Sequence, residues 1–382
     1  MLLLLEACTT QIPNTAIVLP SDYELLHPGN VVITGTNISS SGDSGDLAPF
    51  AIYKYATVTT YFATDRSIVR GERAVTYGTE RAELTYGSVE ISIPRDHQMG
   101  KLEERSLWRG EIFDDPGKHV LVLKVSPTTW DSLRLVLASK MATAPKASAF
   151  IYVHGYHVTF IDAARRTAQM AYDLGFKGAP IFYSWPSKGE TIPYFTDGQS
   201  AEWTESHLEE FLTQFLSQTN VEEVYLIAHS MGSRPLARAL ASLYSAHPEL
   251  APRIKQVILA APDIDADVFR QQIAPALVAR GRPITLYASS NDKALKASKQ
   301  LQGQGSYPRA GEAGSGLVVL HGIETVDATN VETDFIGHSA FATTKTILSD
   351  IYYIMKTGAP ASQRFGLKPV SASSGVYWQF AQ

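Results

Sequence analysis

Val224-Tyr225-Leu226-Ile227-Ala228-His229-Ser230-Met231-Gly232-Ser233-Arg234-Pro235-Leu236 is the stretch whose reading decides the fold. An apolar run rich in strand-preferring residues stops at a small residue and a serine. A glycine follows, then apolar positions at Leu236, Leu240 and Leu243 at helical spacing. Strand, sharp turn and helix with a serine at the apex is the layout of a nucleophile elbow, G-x-S-x-G, with Ala228 in place of the first glycine. A match of this length arises readily by chance, so the rest of the chain has to supply its context.

Downstream and upstream of the elbow the text alternates strand and helix. Strands are expected at 149–153, 180–184, 223–228, 257–261 and 284–288, with a final one around Val318-Val319-Leu320. Helices are expected up to Leu174, from Trp203 through Phe215, from Val268 to Leu277, after Asp292, and over Phe341 to Ile354. Repeated βα units predict a mostly parallel sheet covered by helices on both faces. Before them, 57–64, 89–93 and 119–125 read as strands separated by Tyr77-Gly78, Tyr86-Gly87 and Asp115-Pro116-Gly117, an antiparallel edge leading into the sheet. A helix from Trp130 to Met141 with Leu133, Val136 and Leu137 on one face joins the halves. The organisation expected is a lead-in over 1–50, one domain over 51–360 and a tail over 361–382.

In open α/β sheets reactive groups gather at the carboxyl ends of strands. His154-Gly155-Tyr156 follows the strand ending at Val153, so the Tyr156 amide, with that of Met231, is the expected two-donor oxyanion hole. The serine needs a base. Of the histidines after Ser230, His247 closes the elbow helix and His321 lies by the last strand; His338, in a loop before the closing helix, is the expected base. Asp292, after strand 284–288, is the expected acid, with Asp263 in reserve and a helix cap as the alternative for either.

The 382 residues carry a net charge of −5, 45% hydrophobic and 19% charged content, which excludes the basic footprint of a nucleic-acid binder. Cys8 is the only cysteine, so neither an intrachain disulfide nor a cysteine metal cage is encoded. Leu5-Glu6-Ala7-Cys8 resembles the end of a bacterial lipoprotein leader. Two readings follow, a lipid anchor at Cys8 on an extracytoplasmic protein, or a plain extended N-terminus on a cytoplasmic one.

Together, Val153-His154-Gly155-Tyr156, Tyr183-Ser184-Trp185-Pro186-Ser187, Ala228-His229-Ser230-Met231-Gly232, Ala260-Ala261-Pro262-Asp263, Asn291-Asp292-Lys293-Ala294-Leu295 and Gly337-His338-Ser339 resemble a poorly characterised, esterase-like bacterial branch of the α/β-hydrolase superfamily, many of whose members carry lipoprotein leaders. The resemblance covers roughly 55–356. It implies an α/β-hydrolase fold and a serine hydrolase with Ser230 as nucleophile, His338 as base and Asp292 as acid. The expected substrate is a small-molecule or lipid-like carboxylic ester, with no metal or organic cofactor and no nucleic acid. An amidase, peptidase or thioesterase would use the same residues, and a non-catalytic binding protein is the rival from another class. Trp185, Tyr194, Phe195 and Trp203 read either as an aromatic wall over the site or as core packing.

Overall fold

The computed structural model describes residues 54–71, 74–106, 111, 113–188, 194–290, 307–331 and 345–381. Within them, β1 (Tyr55–Arg70), β2 (Val75–Pro94) and β3 (Leu121–Thr128) form an antiparallel meander. The first helix, α1 (Trp130–Ala142), leads into the parallel part. There β4 (Ser148–Val153), α2 (Phe160–Asp173), β5 (Ala179–Ser184), α3 (Tyr194–Trp203), α4 (Glu205–Gln218), β6 (Glu223–His229) and α5 (Ser233–Ala246) succeed one another. They are followed by β7 (Ile254–Ala260), β8 (Ile284–Ala288), β9 (Glu324–Asp327) and α6 (Lys345–Thr357). A hairpin of β10 (Leu367–Ala372) and β11 (Gly375–Phe380) closes the chain by pairing β11 with β9.

Among the described residues these strands make one sheet in the order β10-β11-β9-β8-β7-β6-β4-β5-β1-β2-β3. The fold is therefore the expected mostly parallel sheet with an antiparallel extension on the N-terminal side. Strand alternation divides the core. Ile151, Val153, Leu226 and Ala228 face a cluster that takes in α1, α4 and α5 through Leu133, Phe211 and Leu240. Phe150, Tyr152, Tyr225 and Ile227 face the other, with α2 and α6 through Ala164, Ile347 and Ile351. Burial on both faces explains why the central strands read as continuous apolar runs.

Several local expectations change. Tyr77-Gly78 and Tyr86-Gly87 lie inside β2, not in turns. At Gly87 the Phe62 ring crosses so closely that a Cβ would come within 2.5 Å of its Cζ, so the glycine serves cross-strand packing. Val136 is 49% exposed, and Leu133, Leu137 and Met141 make the buried face of α1. The helix expected through Trp203 and Phe215 is two, divided at Thr204, whose hydroxyl is drawn to the buried Asp65 carboxylate. Val318 is buried but belongs to no strand; its carbonyl accepts from Thr325 Oγ1 at 2.6 Å, and the ladder strand is β9, beyond a turn at Gly322 with φ +85°. Residues 367–380, read as tail, are the β10–β11 hairpin.

The order of β4, β5 and β6 fixes where a site belongs. From β4 the chain crosses to β5 on one side, then returns to lay β6 on the other. The chain segments leaving β4 and β6 thus run to opposite faces of the sheet, and such a switch point at the carboxyl edge is where α/β sheets place their sites.

Candidate active site

The register Val153↔Ala228 places the exits of β4 and β6 side by side. β6 ends at His229, and Ser230–Gly232 form a single 3-10 turn that runs directly into α5. To reverse from strand to helix without a loop, Ser230 adopts φ +50°. A non-glycine residue in that region costs of order 1–3 kcal/mol and persists only where its surroundings enforce it. Here the enforcement is visible, because Gly232 sits against the β4 exit. A Cβ at 232 would fall within 2.8 Å of Val153 O and closer still to His154 O. A Cβ on Gly155 would in turn lie 3.0 Å from His229 Nδ1 and 3.1 Å from Ser230 Cβ. The two glycines let the β4 exit and the elbow touch backbone to backbone.

A prediction follows for Gly232→Ala, which has to push these two segments apart. Overpacking of a well-filled site costs about 1–3 kcal/mol, and a backbone neighbour cannot yield as a side chain does. We expect a loss of about 3 kcal/mol in chemical denaturation. An unchanged midpoint would contradict the contact.

Ser230 is buried, 5% exposed, at the apex of the turn. Met231 lies in the first turn of the continuous 3-10 and α helix, where backbone amides have no intrahelical acceptor. Tyr156, half-buried, follows Gly155, and the structure thus brings Ser230, Met231 and the Gly155–Tyr156 peptide together. Burial lowers His229 to about 4, with Arg166 adding to the effect, so this neighbour of the serine is neutral. Its strand parity sets it on the α2 face, the same side as Ile227.

Asp263, the reserve acid, is 1% exposed and held by several partners. Its carboxylate takes a hydrogen bond from the Tyr194 hydroxyl and pairs with Arg234 Nη2 at 3.0 Å and Arg309 Nε at 3.3 Å. Its own amide donates to Ser230 O at 3.2 Å, and Arg234 Nε donates to Asp263 O at 2.6 Å. Burial, and then Arg309, lower Arg234 to about 10, which leaves it charged at neutral pH. Asp263 therefore binds the β7 exit to the start of α5, beside the elbow.

Asp292 and His338 lie outside the described residues, but their flanks are placed. Ser289 N donates to Gly311 O at 2.9 Å, and Ser290 N donates to Thr329 Oγ1 at 3.0 Å. The chain just before Asp292 thus touches the β9 exit, from which the chain runs on toward His338. The register Ala288↔Asp327 sets both exits at the same edge as Ser230. The other two downstream histidines are elsewhere. His247 caps the far end of α5 beside Glu249, and His321 is exposed in the turn that enters β9 at the amino edge.

Of the aromatic residues, Trp185 is fully buried, stacked on His154 at 5.1 Å, and its Nε1 donates to His154 O at 2.7 Å. Tyr194 is buried against Tyr156 and Arg234. Trp203 packs under Arg81 and His207, while Phe195 is 73% exposed. Packing accounts for three of the four. Among the described residues no group of three or more His, Cys, Asp or Glu is placed to hold a metal ion, and no helix is long and apolar enough to cross a membrane.

Sequence reasoning missed Arg66, which is 1% exposed and surrounded by the β4 and β5 exits. The signal was available, a charged Asp65-Arg66 pair inside the apolar strand text Phe62 to Val69. Arg234, Arg309 and Tyr194 were also missed as partners, because they converge on Asp263 from three separate elements.

A family model described as alpha/beta hydrolase of unknown function (DUF900) matches residues 130–355. The solved structure of the lin2722 gene product from Listeria innocua is similar over 62% of this chain and 99% of its own, at 10% identity and a TM-score of 0.34. A structure named AbyA5 Wildtype is similar over 58% of this chain and 64% of its own, at 14% identity and a TM-score of 0.32. No curated protein matches the chain.

Proposed function

The chain belongs to the α/β-hydrolase family of unknown function DUF900, and from that premise we propose that it is a serine hydrolase of carboxylic esters working through an acyl-enzyme. The observation that carries the reading is the strained serine, with φ +50° at the apex of a strand–3-10–helix turn pressed against the β4 exit. Strain at an exposed turn would relax. Here Gly232, with no room for a side chain, and Gly155, with little, press the turn against the β4 exit.

In the mechanism His338 takes the proton of Ser230 as its hydroxyl attacks the ester carbonyl. The amides of Tyr156 and Met231 receive the oxyanion, and the collapsing intermediate expels the alcohol, which takes the proton back from His338. Water then repeats the sequence on the acyl-enzyme. Asp292 accepts from the histidine and holds its tautomer. The Ser290–Thr329 hydrogen bond supports this pairing, because it joins the strand exits from which the acid and base segments depart. The commitment of Asp263 to Arg234, Arg309 and Tyr194 supports a scaffolding role for it instead.

The test is a matched panel of p-nitrophenyl acetate and butyrate, the corresponding anilides and a phenyl thioacetate. Ester turnover at least tenfold above the anilides and thioester, with a burst of p-nitrophenol equal to enzyme, supports the proposal. Preference for an anilide or thioester moves the chain to the amidase or thioesterase class, and no turnover of any substrate contradicts the hydrolytic reading.

A further inference from the structure

Arg66 occupies an unusual place. It lies in β1 between two irregularities of the β1–β2 pairing, where β2 carries the extra residues, and just beyond the last β1–β5 pair, Thr64↔Ser184. Its guanidinium donates to β2, to the last residue of β5 and to the loops that follow β4 and β5. Nε donates to Ser184 Oγ at 2.8 Å, Nη1 to Gly78 O and Ser187 O at 2.9 Å each, and Nη2 to Val158 O at 2.7 Å. Nη2 also lies 3.4 Å from His154 Nε2. Among the described residues no carboxylate is in ion-pair contact with it. Burial lowers it to about 10, an effect that Asp65, Asp197 and Asp162 partly offset, so the cation persists at neutral pH.

These contacts favour one tautomer of His154 over the other. A guanidinium can only donate, so an Nε2 lone pair facing it is favoured over an Nε2–H. Ser184 Oγ, 3.1 Å away on the same nitrogen, already receives the Arg66 Nε–H and has its own proton to give to Nε2. The imidazole proton is left on Nδ1, which is 2.9 Å from Gly155 O and donates to it. Desolvation first, and then the Arg66 charge, hold His154 far below the ordinary histidine value, so it does not gain a second proton. In a planar trans peptide the C=O and N–H point opposite ways. Tying the Gly155 carbonyl to His154 therefore turns the Tyr156 amide away from the imidazole.

We propose that Arg66 is a positioning residue that locks His154 as its Nδ1–H tautomer, so that the Gly155–Tyr156 peptide keeps its amide aimed at the oxyanion formed on Ser230. The inference rests on the serine-hydrolase reading for its catalytic consequence, but not for the tautomer itself. With the opposite tautomer, an Nδ1 lone pair would face Gly155 O. The repulsion would favour a flipped peptide that puts a carbonyl where the donor is needed.

The test has two arms. In the first, the resting protein is labelled with ¹⁵N-histidine, and His154 is assigned by the signals lost in His154→Asn. We expect a protonated Nδ1 and an unprotonated Nε2, unchanged from about pH 5 to 9. A protonated Nε2 overturns the inference.

In the second arm, Arg66→Gln should lower kcat on p-nitrophenyl acetate about 100-fold, the cost of losing one oxyanion donor, with KM changed less than threefold. In a His154→Asn background, where the carboxamide N–H stands where Nδ1–H stood, the same substitution should cost less than threefold. A loss of equal size in both backgrounds, or none in either, overturns the inference. If Arg66→Gln does not fold, Arg66→Lys takes its place in the cycle. A wild type without turnover refutes the hydrolase reading and the catalytic half of the inference together. Turnover with an Nε2–H imidazole refutes the inference alone.

Discussion

Ser230→Ala is expected to lower kcat on a p-nitrophenyl ester by roughly 10⁴–10⁶, with the protein still folded. At about 1.4 kcal/mol per decade this is some 5–8 kcal/mol of transition-state stabilisation, the loss seen when a member of a cooperating triad is removed. The methyl group keeps the Cβ that packs near Gly155, so the substitution removes the hydroxyl and little else. Ser230→Gly adds a second readout. Glycine adopts φ +50° without the steric cost borne by Ser230, so this variant should be at least as stable as Ser230→Ala while equally inactive. Lower stability in the glycine variant would mean that the backbone there is unstrained. Activity in either variant would mean that the elbow is only a turn.

His338→Ala is expected to cost a similar 10⁴–10⁶ in kcat, while His247→Ala and His321→Ala stay within twofold of wild type. Position makes the difference. α5 runs 14 residues at 1.5 Å each, so His247 at its far end is about 21 Å from the elbow. His321 enters β9 from the edge opposite Ser230. The aspartates separate in the same way, by kind of loss. Asp292→Asn should lower kcat about 10⁴-fold with stability intact, as when a triad histidine is held in the wrong tautomer. Asp263→Asn should instead lose about 3–5 kcal/mol of stability, because it leaves buried arginines without their counter-charge. An intact rate in Asp292→Asn with an abolished one in folded Asp263→Asn would reverse the assignment of the acid.

The fold was legible because its signals are local. β6, the turn and α5 lie within one 24-residue stretch, and the apolar runs of β4, β5 and β8 mark strands buried on both faces. Ala228 in place of the first glycine proved compatible with a close strand packing opposite Val153. The less legible features depend on distant partners. Gly87 resembles a turn until Phe62 arrives from β1, and Thr204 continues a helix until Asp65 draws its side chain away. Val318 has the apolar text of a strand but spends it on the core. Around the site, the reading of His154-Gly155 as the turn beside the serine matches the packing of Gly155 on Ser230. Arg66 could not be connected to it, because nothing in the sequence says that a residue 88 positions earlier reaches His154.

Peptide-level mass spectrometry after reaction with a fluorophosphonate reads out whether Ser230 is an activated nucleophile. One adduct per chain is expected, on the peptide containing Ser230, with none in Ser230→Ala. No adduct, or an adduct on a different residue that persists in Ser230→Ala, would contradict that role.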